Sequence, residues 1–319
     1  WQSPISPGVS WYEASVGERP EYAPLDGSVD ADVAIVGGGF TGLQAAYNLA
    51  KKGVRVVLIE AHRFGDGASG RNGGQLGTGQ RADVESLEAE LGFERAKALF
   101  DLAENAKQHI HDFATAQNLD IEYVPGQLNV SHKASYEKEF RDHIEIAATR
   151  FGYNHLSYMD REETEQRVGS KRFFFGMRDT GTGHIHPMKL LVGIARAAQA
   201  AGAGLHEKTP ALKIERTGGK AVITTARGTI RADKALICCN AYIGNLEPKT
   251  ASHVMPIRSF IGATVPLDKF PSIIPGGESI ADTRFVVRYF RKTRDGRLLF
   301  GGREAYSENL DDMAPPIRR

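Results

Sequence analysis

Short apolar runs and stretches with a helical period alternate along the first part of the chain. Asp32-Val33-Ala34-Ile35-Val36 is an apolar run closed by glycines, the pattern of a strand buried on both faces. Gly42–Lys52 sets Leu43, Ala46, Tyr47, Leu49 and Ala50 on a helical face, and Gly53 is its predicted C-cap. Val54–Glu60 repeats the buried-strand pattern, so the segment opens as a βαβ unit. Gly65–Gly79 follows as a glycine-rich loop, and then a helical stretch over Val84–Gln117, broken near Gly92. Strands are predicted over Gln127–Ser131 and Arg172–Met177, flanking a helix over Ala134–Arg150. Pro187–Ala201 reads as a helix with proline in its first turn. Strand-like runs occupy Leu212–Arg216, Ala221–Thr225 and Thr229–Arg231, the first two joined by a turn at Gly218-Gly219. Lys234–Cys239 reads as another buried parallel strand. Ile257–Val265, Arg284–Arg291 and Arg297–Gly302 are strand-like, with Asp295-Gly296 as a hairpin turn. Residues 1–28 hold Trp1, Trp11 and Tyr12 among prolines and glycines and show no period; residues 1–24 are set apart as an N-terminal arm.

Composition narrows the function classes. The 319 residues suggest two domains, and 41% hydrophobic with 25% charged residues is ordinary for a soluble globular protein. Forty Lys+Arg against 39 Asp+Glu leave a net charge of +1, which argues against a nucleic-acid binder driven by bulk charge. No apolar run reaches the length of a membrane span, and the first residues lack the basic start and apolar core of a signal peptide. The two cysteines, Cys238 and Cys239, are adjacent; they read as two free, buried thiols, which favours a reducing compartment such as the cytoplasm.

The candidate chemistry begins at Gly37-Gly38-Gly39-Phe40-Thr41-Gly42. It fits G-x-G-x-x-G between a strand and a helix, where glycines allow a tight turn, close approach of a pyrophosphate and close packing of helix on strand. The helix N-terminus then offers N–H groups and a positive dipole end to phosphate. Glu60 stands 23 residues after Gly37, at the end of the second strand, where a carboxylate meets a ribose hydroxyl and repels a 2′-phosphate. NADP is disfavoured; NAD and FAD both remain open from this unit. The loop Gly65-Asp66-Gly67-Ala68-Ser69-Gly70-Arg71-Asn72-Gly73-Gly74-Gln75-Leu76 favours a large planar cofactor. It combines glycines with a hydroxyl at Ser69, positive charge at Arg71 and an amide at Asn72.

With these residues in place, Asp32–Leu76 resembles the FAD-dependent D-amino-acid, glycine and sarcosine oxidase superfamily. The match is closest to its gamma-glutamylputrescine oxidase-like branch. Ser10–Ser15, Gly65–Leu76, Tyr289-Phe290-Arg291 and Asp295–Arg303 are similar to that branch. The resemblance implies an α/β fold in two parts, the glutathione-reductase-2-like flavoprotein architecture. A Rossmann-like FAD-binding domain is expected over 25–120 and 180–248, and a mixed-sheet substrate domain over 121–179 and 249–319. It implies FAD held by Gly37, Gly39, Phe40, Thr41, Gly42, Glu60 and Ala61, by Ser69, Arg71, Asn72, Gly73, Gly74, Gln75 and Leu76, by Ala211 at the adenine, and by Cys239 and Asn240 beside the flavin. Asn240 stands where a glycine is more usual. Asn72 occupies the place of a histidine that attaches FAD covalently in some relatives, so FAD is expected to be non-covalent.

The implied reaction is oxidation of a C–N bond of an amine or amino acid, hydride passing to flavin N5 and dioxygen being reduced to hydrogen peroxide. Gamma-glutamylputrescine or a similar polyamine derivative is the expected substrate. Leu299 aligns with a lysine that assists oxygen reduction in the sarcosine-oxidase branch, so a dehydrogenase with another acceptor is the alternative. Relatives continue with a further C-terminal segment of the FAD domain, which this chain lacks. Met313–Arg319 reads as the start of a helix, and a truncated nucleotide-binding chain without activity is a third reading. On the substrate side, Arg258, Arg284, Arg288, Arg291, Arg294, Arg297 and Arg303 crowd the last strands. An inward guanidinium can clamp a carboxylate; Arg291 is the first candidate for substrate contact and Tyr289 the second. No metal is expected: His184 and His186 precede the Pro187 helix in a loop with no third ligand, and His109 and His111 are expected to be solvated on a helix.

Overall fold

The computed structural model describes residues 10–305. Trp1, the Met313–Arg319 stretch and the side chain of Arg303 lie outside the described residues. The chain divides into two compact units, Trp1–Asn72 with His186–Ile257, and Gly73–Ile185 with Arg258–Arg319. Residues 73–120 and 180–185, expected in the dinucleotide layer, thus belong to the second unit, while the described part of the arm, residues 10–24, and residues 249–257 belong to the first. The cause is packing. Val84, Ala96 and Phe100, on the helices Val84–Leu91 and Phe93–Ala116, form one core with Ala147, Phe151 and Tyr153.

The first unit is built on a sheet of six strands in the order Gly204–His206, Val56–Ile59, Gly27–Val36, Gly228–Ile237, Lys220–Thr224 and Lys213–Thr217. The first four are parallel, with Val33 opposite Val56, Val57 opposite Gly204 and Val36 opposite Ile237. The last two are antiparallel and turn at Gly218-Gly219 as expected. Alternation along a strand sends side chains to opposite faces. Ala34 and Val36 join Val57, Ile59, Ile223 and Ile230 in one core. The helix Phe40–Ala50 packs against the helix Pro187–Ala200, burying Leu43, Ala46, Leu191 and Ile194. Gly53 (φ 78°) closes the former: its N–H reaches Ala50 O and the next, from Val54, reaches Leu49 O. Gly204–His206 is too short to carry a period and was not expected. The arm contains a helix at Trp11–Ser15, capped by the Ser10 hydroxyl, which accepts the Glu13 N–H at 3.1 Å.

The second unit holds a sheet in the order Arg258–Ala263, Leu298–Ala305, Tyr289–Lys292, Ser279–Asp282, Val124–Ser131, Phe175–His184 and Gln75–Leu76, with Leu156–Met159 also paired to Phe175–His184. It is mixed: Ser279–Asp282 runs parallel to Val124–Ser131 and the other pairs are antiparallel. Leu128, Val130, Met159, Phe173, Ile274 and Ile280 form its core. The expected strand over Arg284–Arg291 is confined to Tyr289–Lys292. The buried Asp282 carboxylate accepts the Arg284 and Arg288 N–H groups, both at 3.1 Å, and gathers residues 283–288 into a loop. No helix among the described residues is long and apolar enough to cross a membrane.

Candidate functional site

A cavity of ≈ 340 Å³ opens in the first unit where the parallel strands end. Gly37, Gly39, Glu60, Ala61, Ser69, Ala211, Cys239 and Asn240 all line it. Two glycines are dictated by space. A Cβ on Gly37 (φ 108°) would stand 2.5 Å from the Cys238 carbonyl oxygen, and one on Gly42 would stand 1.9 Å from the Gly37 oxygen. The first permits the turn and the second lets the helix seat against it, the division of labour that a dinucleotide turn needs.

Glu60 anchors this turn. Its carboxylate accepts the Gly38 N–H at 2.7 Å and the His62 N–H at 3.0 Å, one on each oxygen, which leaves each oxygen a further lone pair. Ser69 Oγ accepts the Phe40 N–H at 3.1 Å, so a side chain from the glycine-rich loop caps the helix whose own cap, Gly39, has no side chain to offer. Phe40, Thr41 and Gly42 stand behind the lining, inside the helix. Asn72 also lies outside the lining; its amide donates to Ser69 O at 2.8 Å and Ala68 O at 3.2 Å and closes the 3₁₀ turn Ala68–Gly70. Arg71, half-buried, follows the same turn. Asn240 takes φ 49°, a left-handed conformation that suits glycine best and asparagine next.

Cys238 and Cys239 also line the cavity; they are free thiols, half-buried where full burial was expected. The strand before them ends at Ile237, and Leu236 and Ile237 are each 38% exposed. Burial, with the Glu60 carboxylate adding to it, pushes the Cys239 thiol up to about 12, and burial also raises Cys238. Burial thus favours the protonated thiol over the nucleophilic thiolate at both positions. Gly38, His62, Gly65, Gly67 and Pro210, with Tyr242, Ile243, Asn245 and Leu246, contribute lining that sequence reasoning did not single out. The glycines lie within runs already noted, whereas Tyr242–Leu246 carries no motif.

The other half of the expected set falls in the second unit. Gln75 and Leu76 pair with His184 and Gly183 as an edge strand, and Gly73 lies under the Tyr289 ring, 3.0 Å from where its Cβ would be. Arg291, expected to meet substrate, is 4% exposed and commits its guanidinium to the main chain: Nε donates to Gly73 O at 2.7 Å, Nη2 to Ile185 O at 3.1 Å and Nη1 to Lys292 O at 3.3 Å. Tyr289 is half-buried, its ring over Gly301 and its hydroxyl 3.5 Å from Ser259 Oγ. Leu299 is buried. His184 is buried too; Nε2 donates to Gly277 O at 3.0 Å, and burial beside Arg291 lowers it to about 4, so it is neutral. His186 instead caps the Pro187–Ala200 helix, its Nδ1 accepting the Lys189 N–H at 3.2 Å. His109 is exposed, but His111 is half-buried with its ring edge-on to Tyr123 at 4.5 Å.

The residues of the first cavity fit a dinucleotide: a helix N-terminus at Gly39, a turn with no room for side chains and a carboxylate at the end of the second strand. The DAO family, described as FAD dependent oxidoreductase, matches residues 32–319. The chain belongs to this family; it is an FAD-dependent oxidoreductase. It is 65% identical over 320 residues to the probable oxidoreductase OrdL of Rhizobium meliloti (strain 1021), covering 100% of this chain and 75% of the relative. It is 34% identical over 308 residues to the gamma-glutamylputrescine oxidoreductase of Escherichia coli (strain K12), covering 95% of this chain and 72% of that protein. Among solved structures, glycine oxidase from Geobacillus kaustophilus is similar in fold, with a TM-score of 0.68 at 21% identity, over 87% of this chain and 72% of that one.

Proposed function

We propose that this protein oxidises a C–N bond of a small amine or amino acid, with gamma-glutamylputrescine or a similar polyamine derivative as substrate and dioxygen as acceptor. The observation that carries the reading is the 34% identity with the gamma-glutamylputrescine oxidoreductase across 95% of this chain, joined to a cavity whose turn and carboxylate suit FAD. FAD supplies the redox chemistry when bound, taking two electrons from the C–N bond and passing them on. The protein's part is orientation. Gly37–Gly42 and Glu60 hold the nucleotide end, Ala211 meets the adenine, Ser69–Asn72 lead toward the flavin, and Cys239 and Asn240 flank it. Gly73–Leu76 continue that segment. With neutral thiols and an asparagine at position 72, nothing among these residues attaches the flavin covalently, so acid denaturation is expected to release it. Tyr289 is the stronger substrate-side candidate, because Arg291 already serves three main-chain carbonyls. The cytoplasm is the proposed compartment, in keeping with two free thiols.

The test is the visible spectrum of the chain, followed by anaerobic addition of gamma-glutamylputrescine. Oxidised-flavin bands that bleach support cofactor and substrate together. Bands that persist send the substrate assignment to other amines. A colourless chain that takes up no added FAD counts against a cradle complete in these residues. A second reading, a dehydrogenase passing electrons to a quinone or protein, is favoured by the buried Leu299 in place of a lysine. Hydrogen peroxide formed in step with substrate loss excludes it.

A further inference from the structure

The described residues of the arm are not among those that line the first cavity, yet they bond to the loop that contributes part of its wall. Tyr12 is 3% exposed, wedged between Trp11 and His186 with ring centroids 5.2 and 5.1 Å away. Its hydroxyl donates to Asn72 O at 2.7 Å. From there the bonds run inward. Asn72 Nδ2 donates to Ser69 O at 2.8 Å, and Ser69 Oγ accepts the Phe40 N–H at 3.1 Å. Three hydrogen bonds therefore connect the arm to the N-terminus of the helix that opens the dinucleotide turn. The arm is held to the same wall further along. Arg19, its side chain 4% exposed, pairs with Glu13 and with Asp66 at 3.4 Å and donates to Phe64 O at 2.7 Å. The Tyr22 ring lies 4.9 Å from that of Phe64.

We propose that Tyr12 is a positioning residue for FAD, acting through Asn72 to hold the Ala68–Asn72 turn against the dinucleotide helix. The proposal rests on reading the first-unit cavity as the FAD cradle. Phenylalanine keeps the wedge and removes only the donor, so Tyr12→Phe frees the turn without emptying the core. Loss of one such bond corresponds to about a fivefold weaker FAD Kd. Because the turn leads toward the flavin, the visible circular dichroism of bound FAD changes as well. Asn72→Ala, which cuts the next bond in the series, shifts both readouts the same way.

Ser15→Ala is the control. It breaks another tie of the arm, the contact of Ser15 Oγ with His186 Nε2 at 3.0 Å, and leaves Asn72 alone. It is expected to lower the melting temperature of the apoprotein while Kd stays within about twofold. The measurement is quenching of FAD fluorescence on titration with apoprotein, with visible circular dichroism of the loaded chain. A Tyr12→Phe chain that matches the parent in Kd and dichroism overturns the proposal. So does a Ser15→Ala chain that loses affinity as much as Tyr12→Phe, since the arm is then a general scaffold. A parent chain that binds no FAD overturns the cradle reading, and this proposal with it.

Discussion

The two units solve their problems with different chemical groups. In the first, the candidate cradle is mostly backbone: glycines without room for a Cβ, N–H groups held by Glu60 and Ser69, and a helix N-terminus. In the second, strand ends and loops are tied by charged side chains reaching to main-chain carbonyls and amides, as Arg291 and Asp282 do. A backbone site tolerates no added side chain but is indifferent to many neighbouring choices. A site built from buried charged groups tolerates size changes but not the loss of a donor. Substitutions in the two places should therefore fail in different ways.

The largest effect is expected at Gly37→Ala. The new Cβ meets the Cys238 carbonyl at 2.5 Å, and alanine is strained at φ 108°. The turn must open, and FAD affinity is expected to fall by about a hundredfold or more, as about 3 kcal/mol of overpacking implies. Flavin content after gel filtration checks this; normal flavin loading would mean the turn is not the cradle. Next comes Arg291→Met, which keeps the bulk and removes the donors to Gly73 O and Ile185 O. About 3 kcal/mol of stability should be lost, since each buried carbonyl left unpaired costs about 1–3 kcal/mol. Urea unfolding measures it. An unchanged unfolding midpoint together with a raised KM would return Arg291 to the substrate side and erase the contrast between the units.

The contrast also explains what could be read from the sequence. The Gly37–Gly42 turn and Val33–Val36 were legible because a buried parallel strand, a tight turn and a helix leave few residue choices. Ser69 was legible as a polar group near phosphate, but not as the acceptor of the Phe40 N–H, because that bond spans 29 residues. Alternation along the last strands showed that some arginines must face inward, yet alternation does not say what they meet. Phe285-Val286-Val287 reads as a strand by composition, and the Asp282 carboxylate overrides it by taking the N–H groups of Arg284 and Arg288. The helical face of residues 84–116 was evident. Its partners, Ala147, Phe151 and Tyr153, lie far along the chain, and periodicity carries no such information.

The smallest expected effect is conditional on pH and comes from His184. Its imidazole is buried against Arg291, with Nε2 donating to Gly277 O and its value lowered to about 4. In the unfolded chain it titrates near 6.5. Above about pH 6.5 both states are neutral and the histidine adds no pH dependence. Between about 6.5 and 4 the unfolded chain binds the proton and the folded chain does not, so stability falls as pH falls through that window. From pH 7 to 4.5 the loss assignable to this group is about 2.5 kcal/mol. Glutamine at this position cannot be protonated and can still donate to Gly277 O. His184→Gln should therefore unfold in urea with a midpoint that changes less over that interval than the parent's. Equal losses in the two chains would show that the acid sensitivity of the second unit lies in its carboxylates. The charged pairing around Arg167 and Glu278, which join at 3.2 Å, would then be the place to look.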